Sequence, residues 1–148
     1  MSFDNMFSSA EISASGMSAE RMRMEIAANN IANARSTRAG GKGPFRRQQV
    51  VFEAALTHDA KRSLGGEGAL AGVRVVGVAT DQSPLPQVYN PGHPDADKEG
   101  MLTMPNVTLP FEMVDMVTAS RAYEANLKAL STFRQMAEQS LSLLQQVR

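Results

Sequence analysis

The chain has no cysteine and no tryptophan, only two histidines, and aromatic side chains make up just 5% of its 148 residues. Without cysteine there are no disulfides, no thiolate nucleophile and no thiolate zinc site. That absence suits the cytosol and an oxidising compartment equally, so it assigns neither. With two histidines and no Gly-x-Ser-x-Gly elbow, a hydrolase triad has no support. The glycine-rich stretches match neither the P-loop pattern nor a strand–GxGxxG–helix unit, so nucleotide binding has none either. An excess of one charge is also missing: 15 basic and 15 acidic residues cancel, which removes the field that draws a protein to nucleic acid or to an anionic membrane. No run approaches the roughly 20 apolar residues that span a bilayer, so no direct membrane insertion is expected. Asp4, Glu11, Glu20 and Glu25 interrupt the first 30 residues, which do not read as a secretory signal. On these absences alone the chain reads as a soluble cytoplasmic protein.

Proline is absent from both ends: none occurs before Pro44 or after Pro110, and no glycine follows Gly100. From about Phe3 to Ala34 a single interior glycine, Gly16, sits among Ala, Met, Glu and Arg, all good helix formers apart from that glycine. This predicts a helix of about 30 residues and about 45 Å, and Phe111 to Arg148 allows one of about 38 residues and roughly 57 Å. The second helix is expected to start after Asn106 or Thr108, with Pro110 tolerated in its first turn.

Both helices carry a seven-residue seam. The first runs Phe3, Phe7, Ala10, Ala14, Met17, Arg21, Met24, Ala28, Ile31; the second runs Leu109, Met113, Met116, Ser120, Tyr123, Leu127, Leu130, Arg134, Ala137, Leu141, Leu144. Steps of 4 and 3 hold one stripe of a helix against a partner over many turns. A second stripe follows Ala119, Ala122, Asn126, Ala129, Phe133, Met136, Ser140, Leu143 and Val147. Two adjacent stripes widen the apolar face beyond one two-helix seam, which points to burial between subunits and to assembly before catalysis.

Between the helices the period disappears. Gly40, Gly41, Gly43 and Pro44 form one loop, and Gly65, Gly66, Gly68 and Gly72 another. Gln48–Phe52 and Val73–Thr80 read as strands, Gln87–Tyr89 as a short edge strand, and Leu102–Met104 as a brief pairing partner. Such strands without a covering layer make a poor independent core. The expected fold is mainly α with a small β part. Residues 1–34 and 108–148 form one discontinuous helical domain, paired as a coiled-coil-like hairpin, and 35–107 form a loop and small β-rich segment.

His93, Asp95 and Asp97 fall in a short window, and His58 adjoins Asp59. A proline-bounded acidic turn reads as a solvated loop, so no metal or cofactor is assigned. Two prolines and Gly92 give that turn a rigid, sharply reversing backbone. Asn29, Asn30 and Asn33 suit a helix end. Alternatively, Asn29 and Asn33, four residues apart, share a face and fix register between helices, as a buried Asn does in coiled coils; Asn126 is placed to do the same.

Ala28-Asn29-Asn30-Ile31-Ala32-Asn33 and Ser120-Arg121-Ala122-Tyr123-Glu124-Ala125-Asn126 resemble the paired terminal motifs of flagellar rod and hook proteins. Val88-Tyr89-Asn90-Pro91-Gly92-His93-Pro94-Asp95-Ala96-Asp97, Met104-Pro105-Asn106-Val107, Gly43-Pro44-Phe45-Arg46-Arg47-Gln48 and Glu112-Met113-Val114-Asp115-Met116 are similar to the proximal rod protein family FlgC. Asn90 departs from an expected Asp, and Pro110-Phe111 from a more helix-friendly pair. The resemblance implies a structural, non-enzymatic subunit of the basal-body rod. It implies export by the flagellar type III apparatus without a cleaved signal, and residence in the periplasm-spanning rod. The implied partners are copies of itself, other proximal and distal rod proteins, and the membrane-proximal adaptor FliE. Terminal helices would line the inner tube and the β part would face outward. The expected subunit-interface residues are Met17, Met24, Asn29, Asn30, Ile31, Asn33, Gly92, His93, Asp95, Met116, Tyr123, Asn126, Leu127, Leu130, Leu141 and Leu144. The competing expectation is a soluble coiled-coil adaptor with a small β head.

Overall fold

The computed structural model describes residues 3–38, 43–56 and 70–146. Gly40, Gly41, Gly65, Gly66, Gly68, the His58–Asp59 pair and Val147 lie outside them, as do the side chains of Phe3, Phe7, Leu143 and Leu144. Among the described residues two long helices bracket four strands: α1 (Phe3–Ala32), β1 (Gln48–Leu56), β2 (Leu70–Thr80), β3 (Gln87–Tyr89), β4 (Met101–Thr103) and α2 (Leu109–Gln146). Both helices fall within two residues of their expected bounds. α1 closes where its asparagines begin to serve its own backbone. The Asn33 backbone N–H and Nδ2 both donate to the Asn29 carbonyl, at 3.1 and 3.0 Å, and Ala34 N–H tightens onto Ile31 at 3.2 Å. α2 opens at Thr108, whose carbonyl accepts from Phe111 and Glu112 N–H. Pro110 sits in the first turn, where its missing donor costs nothing.

The β part forms two separate two-stranded ribbons, β1–β2 and β3–β4. β1 continues four residues beyond the Phe52 expected from its β-branched run. Asp81 N–H bonds the Arg47 carbonyl at one end of the first ribbon, and Arg74 pairs with Glu53 further along. As one strand's numbers rise the other's fall, so the strands are antiparallel. β3 and β4 pair antiparallel with Gln87 opposite Thr103 and Tyr89 opposite Met101.

The turn joining β3 to β4 corrects an expectation. Its demanding glycine is Gly100, with φ of 78° and its would-be Cβ 2.9 Å from the Tyr89 ring. Gly92 is not among the positive-φ glycines, and a Cβ there would meet only Asn90, at 3.9 Å. Pro91 and Gly92 do form the expected turn, with His93 N–H on the Asn90 carbonyl at 3.2 Å, and the chain then returns through Asp97, whose Oδ1 accepts from Glu99 and Met101 N–H at 2.9 and 2.8 Å.

By spatial proximity the chain divides into two compact units, one of Met1–Arg21, Phe52–Val76 and Ala119–Arg148, the other of Met22–Val51 and Gly77–Thr118. The first buries Ser13, Ala19, Gly72 and Ala119; the second buries Ala27, Asn30, Ala34, Gly100, Leu102, Pro105 and Glu112. Among the described residues no helix is long and apolar enough to cross a membrane.

Candidate functional site

Within the Met22–Val51/Gly77–Thr118 unit, a polar clasp joins the end of α1, the entry to β1 and the start of α2. Asn30 is 1% exposed, and its amide treats Gln48 as a neighbouring strand would. Its Oδ1 accepts the Gln48 N–H at 2.9 Å and its Nδ2 donates to the Gln48 carbonyl at 2.8 Å. The other Nδ2 hydrogen reaches Glu112 Oε2 at 2.8 Å. Glu112, also 1% exposed, receives Arg47 Nε on its second oxygen. Arg47 Nη2 extends to Asp115 at 3.3 Å, and Arg23 closes on the other Asp115 oxygen at 2.8 Å. Two cations and two anions therefore balance around one amide. Among the described residues no buried side-chain nitrogen or oxygen is left without a partner, the condition for such a network to be tolerated. The Arg47 backbone is held as well, by Asn106 Oδ1 at 2.8 Å and by Asp81 N–H.

The sequence signalled Asn30 only as one of three asparagines, carried Arg47, Glu112 and Asp115 within longer motifs without singling them out, and did not signal Arg23. Asn29 and Asn33 do share a face, the Asn33 Nδ2 donating to the Asn29 carbonyl at 3.0 Å and lying 3.4 Å from the Asn29 Oδ1, while the buried amide is that of Asn30. The Asn30 amide, expected at a contact between subunits, is spent within the chain. Asp95 also bonds inward, accepting from Thr37 Oγ1 at 2.7 Å and pairing with Arg38 at 2.5 Å. His93 Nδ1 accepts the Asp95 N–H at 3.1 Å, and no group of residues able to hold a metal occurs among those described.

In the other unit Gly16 brings α1 close to α2. A Cβ there would lie 3.0 Å from Asn126 Nδ2, which itself donates to the Ala122 carbonyl at 3.0 Å. Ser15 Oγ donates to the Ile12 carbonyl at 2.7 Å and accepts Val73 N–H at 3.1 Å, and Gly72, at φ 112°, leaves it room.

The expected seams lie beside these contacts. On α1 the buried positions Ala27 and Asn30 each precede a seam residue, Ala28 and Ile31; on α2 Glu112 and Ala119 precede Met113 and Ser120. One residue is about 100° around a helix, so each seam flanks the face its own chain buries. Met17, Met24, Ile31, Met116, Tyr123, Asn126 and Leu130 are half-buried. Leu127 is 49% and Leu141 55% exposed, as are Phe111 at 70% and Val114 at 60%. Gly92 is exposed and His93 half-buried.

The family described as "Flagella basal body rod protein" matches residues 11–38, and "Flagellar basal body rod FlgEFG protein C-terminal" matches residues 98–143. The chain is 38% identical to the flagellar basal-body rod protein FlgC of Borreliella burgdorferi over 95% of its own length and 98% of that protein's. It is 38% identical to FlgC of Escherichia coli O6:H1 over 90% and 93%, and 36% identical to FlgC of Bacillus subtilis over 93% and 97%. The chain belongs to the FlgC family. It is a structural rod subunit of the flagellar basal body. The motifs that carry the FlgC likeness also supply most of the clasp: Asn30 from the α1 motif, Arg47 and Gln48 from the entry to β1, Glu112 and Asp115 from the start of α2.

Proposed function

We propose that the chain assembles in the proximal rod through its terminal helices, residues 1–34 and 108–148 acting as one discontinuous, coiled-coil-like helical domain that carries residues 35–107. In this reading the helices pack around a helical tube that transmits torque. The partners are further copies, the other proximal and distal rod proteins and the adaptor FliE, and delivery is by the type III export apparatus without a cleaved signal. The protein works as a structural element in the periplasm-spanning rod, with no catalytic step and no cofactor.

One observation carries this reading: the large apolar side chains lie outside and the small ones inside. Among the described residues the buried hydrophobic ones are four alanines and Leu102, while Phe111, Met113, Val114, Val117, Leu127, Met136 and Leu141 along α2 are exposed. At about 25 cal/mol per Å2 an alanine-lined core stabilises little. An exposed apolar surface of this extent marks an interaction site. Head-to-tail contacts whose rotation does not close build a helix, and flanking seams supply contacts both along and around it.

The test is Leu127→Asp or Leu130→Asp. Each puts a charge into a seam where a buried Leu contributes about 1.5–3 kcal/mol. We expect basal bodies without rods by electron microscopy and no swimming, at native expression. Normal swimming by the Leu127→Asp strain refutes the seam. Dilute monomer should also show less helix by circular dichroism than the 30- and 38-residue helices of the full structure, because isolated helices depend on packing.

A further inference from the structure

We infer that Asn30, Arg47 and Glu112 are positioning residues for rod assembly: their clasp sets the register of the last turns of α1 against the first turn of α2, and with it the phase in which Met24, Ile31, Met113 and Met116 meet neighbouring subunits. This rests on the seam reading above and deepens it.

Two physical arguments carry the inference. The apolar contacts of this unit are poor at fixing register. Ala27 on α1 and Ala34 just beyond its end are buried, and alanine presents neither ridge nor knob to lock one helix against another. A slide of one turn, about 5.4 Å, would cost such a surface little. The clasp cannot slide. Asn30 satisfies Gln48 N–H, Gln48 C=O and Glu112 Oε2 at 2.9, 2.8 and 2.8 Å in a single placement. Glu112 can take Arg47 at the same time only if its two oxygens point to opposite sides.

The second argument is energetic. Burying the Glu112 carboxylate with Arg47 half-buried beside it is costly, and replacing a buried ion pair with apolar residues of similar volume is often neutral or stabilising. A network adding little net stability but strong direction works as a register device, as a single buried Asn does in a coiled coil. Because the clasp is internal, it acts on assembly only through the surfaces it orients.

The test separates position from stability. The combined variant Asn30→Leu/Arg47→Met/Glu112→Leu replaces the clasp with apolar volume. We expect it to keep the urea midpoint and far-ultraviolet circular dichroism of the native chain, yet to yield cells with no rods and no swimming. Growth at lower temperature, which rescues a merely unstable subunit, should not restore them. A folded triple variant that builds normal rods overturns the inference, and so does rescue by cooling. Should the triple variant fail to fold, Arg47→Lys decides. It keeps the charge beside Glu112 but cannot reach Glu112 and Asp115 together as the guanidinium fork does. A native urea midpoint with lost rods supports positioning; full motility overturns it. Leu127→Asp run in parallel distinguishes the two readings. If it still swims, the seam reading fails; if it does not swim while the clasp variants do, only the positioning role fails.

Discussion

The two units of this chain are closed by opposite chemistries. Met22–Val51 with Gly77–Thr118 is held by charges and a buried amide, in which every partner has one acceptable direction. Met1–Arg21 with Phe52–Val76 and Ala119–Arg148 is held by nearness, where Gly16, Ala19, Gly72 and Ala119 let backbones and short polar side chains approach. Charges specify a geometry and tolerate almost no substitution. Small residues permit a geometry without dictating it.

The largest effect should come from breaking the charged side of that comparison. Glu112→Ala leaves Arg47 without its buried partner and one Asn30 N–H unmet, and should lower unfolding free energy in urea by about 3–5 kcal/mol. A loss under about 1 kcal/mol, the range of exposed pairs, would show that charge does not close this unit.

Next in size is the crowded side. Gly72→Ala places a Cβ against Ser15 at a positive φ and should cost about 1–3 kcal/mol by the same measurement. Gly77→Ala, with nothing within 4 Å, should be nearly neutral. Equal effects at the two glycines would remove close approach as the explanation.

Gly16 sharpens the contrast further. Gly16→Ala gains up to about 1 kcal/mol of helix propensity but meets Asn126 at 3.0–3.3 Å, so the thermal midpoint should move little. Gly16→Leu overfills the contact and should lose about 1–3 kcal/mol. If both variants leave the midpoint unchanged, the two helices are not in close contact at this point.

The smallest expected effect is electrostatic and exposed. Hydrogen bonds from the Ser83 hydroxyl and backbone N–H hold the Asp81 carboxyl below its ordinary 3.8, with Arg47 and Arg46 adding attraction. A depressed carboxyl contributes stability that is present above its unfolded value and is lost as pH falls through the folded one. Ser83→Ala should therefore move the Asp81 titration, followed by NMR, up toward 3.8 while leaving the thermal midpoint at neutral pH almost unchanged. No upward shift would mean that the hydroxyl is not the main cause.

Much of the architecture was legible in the residues. Proline-free ends with a 3.5-residue apolar period predict two long helices, and β-branched runs flanked by glycine and proline predict strands. These are local signals, carried by neighbours along the chain. The clasp was not legible, because Asn30, Arg47 and Glu112 are separated by 17 and 65 positions and charged residues in a sequence carry no mark of being buried. Gly92 drew attention through its prolines, while Gly100, without them, holds the positive φ.

By itself the sequence determined the two helices, their bounds and the stripes along them, because helix periodicity and proline exclusion act within a few residues. It also carried the FlgC likeness in contiguous motifs. Only the tertiary structure decided which face of each helix is used inside the chain and which is left exposed. A one-residue rotation of about 100° separates Asn30 from Ile31 and Glu112 from Met113, and nothing in the period alone chooses between them. The choice is made where the Asn30 amide, the Gln48 backbone and the Glu112 carboxylate satisfy one another, since a buried polar group must find its partner and takes the helix face with it.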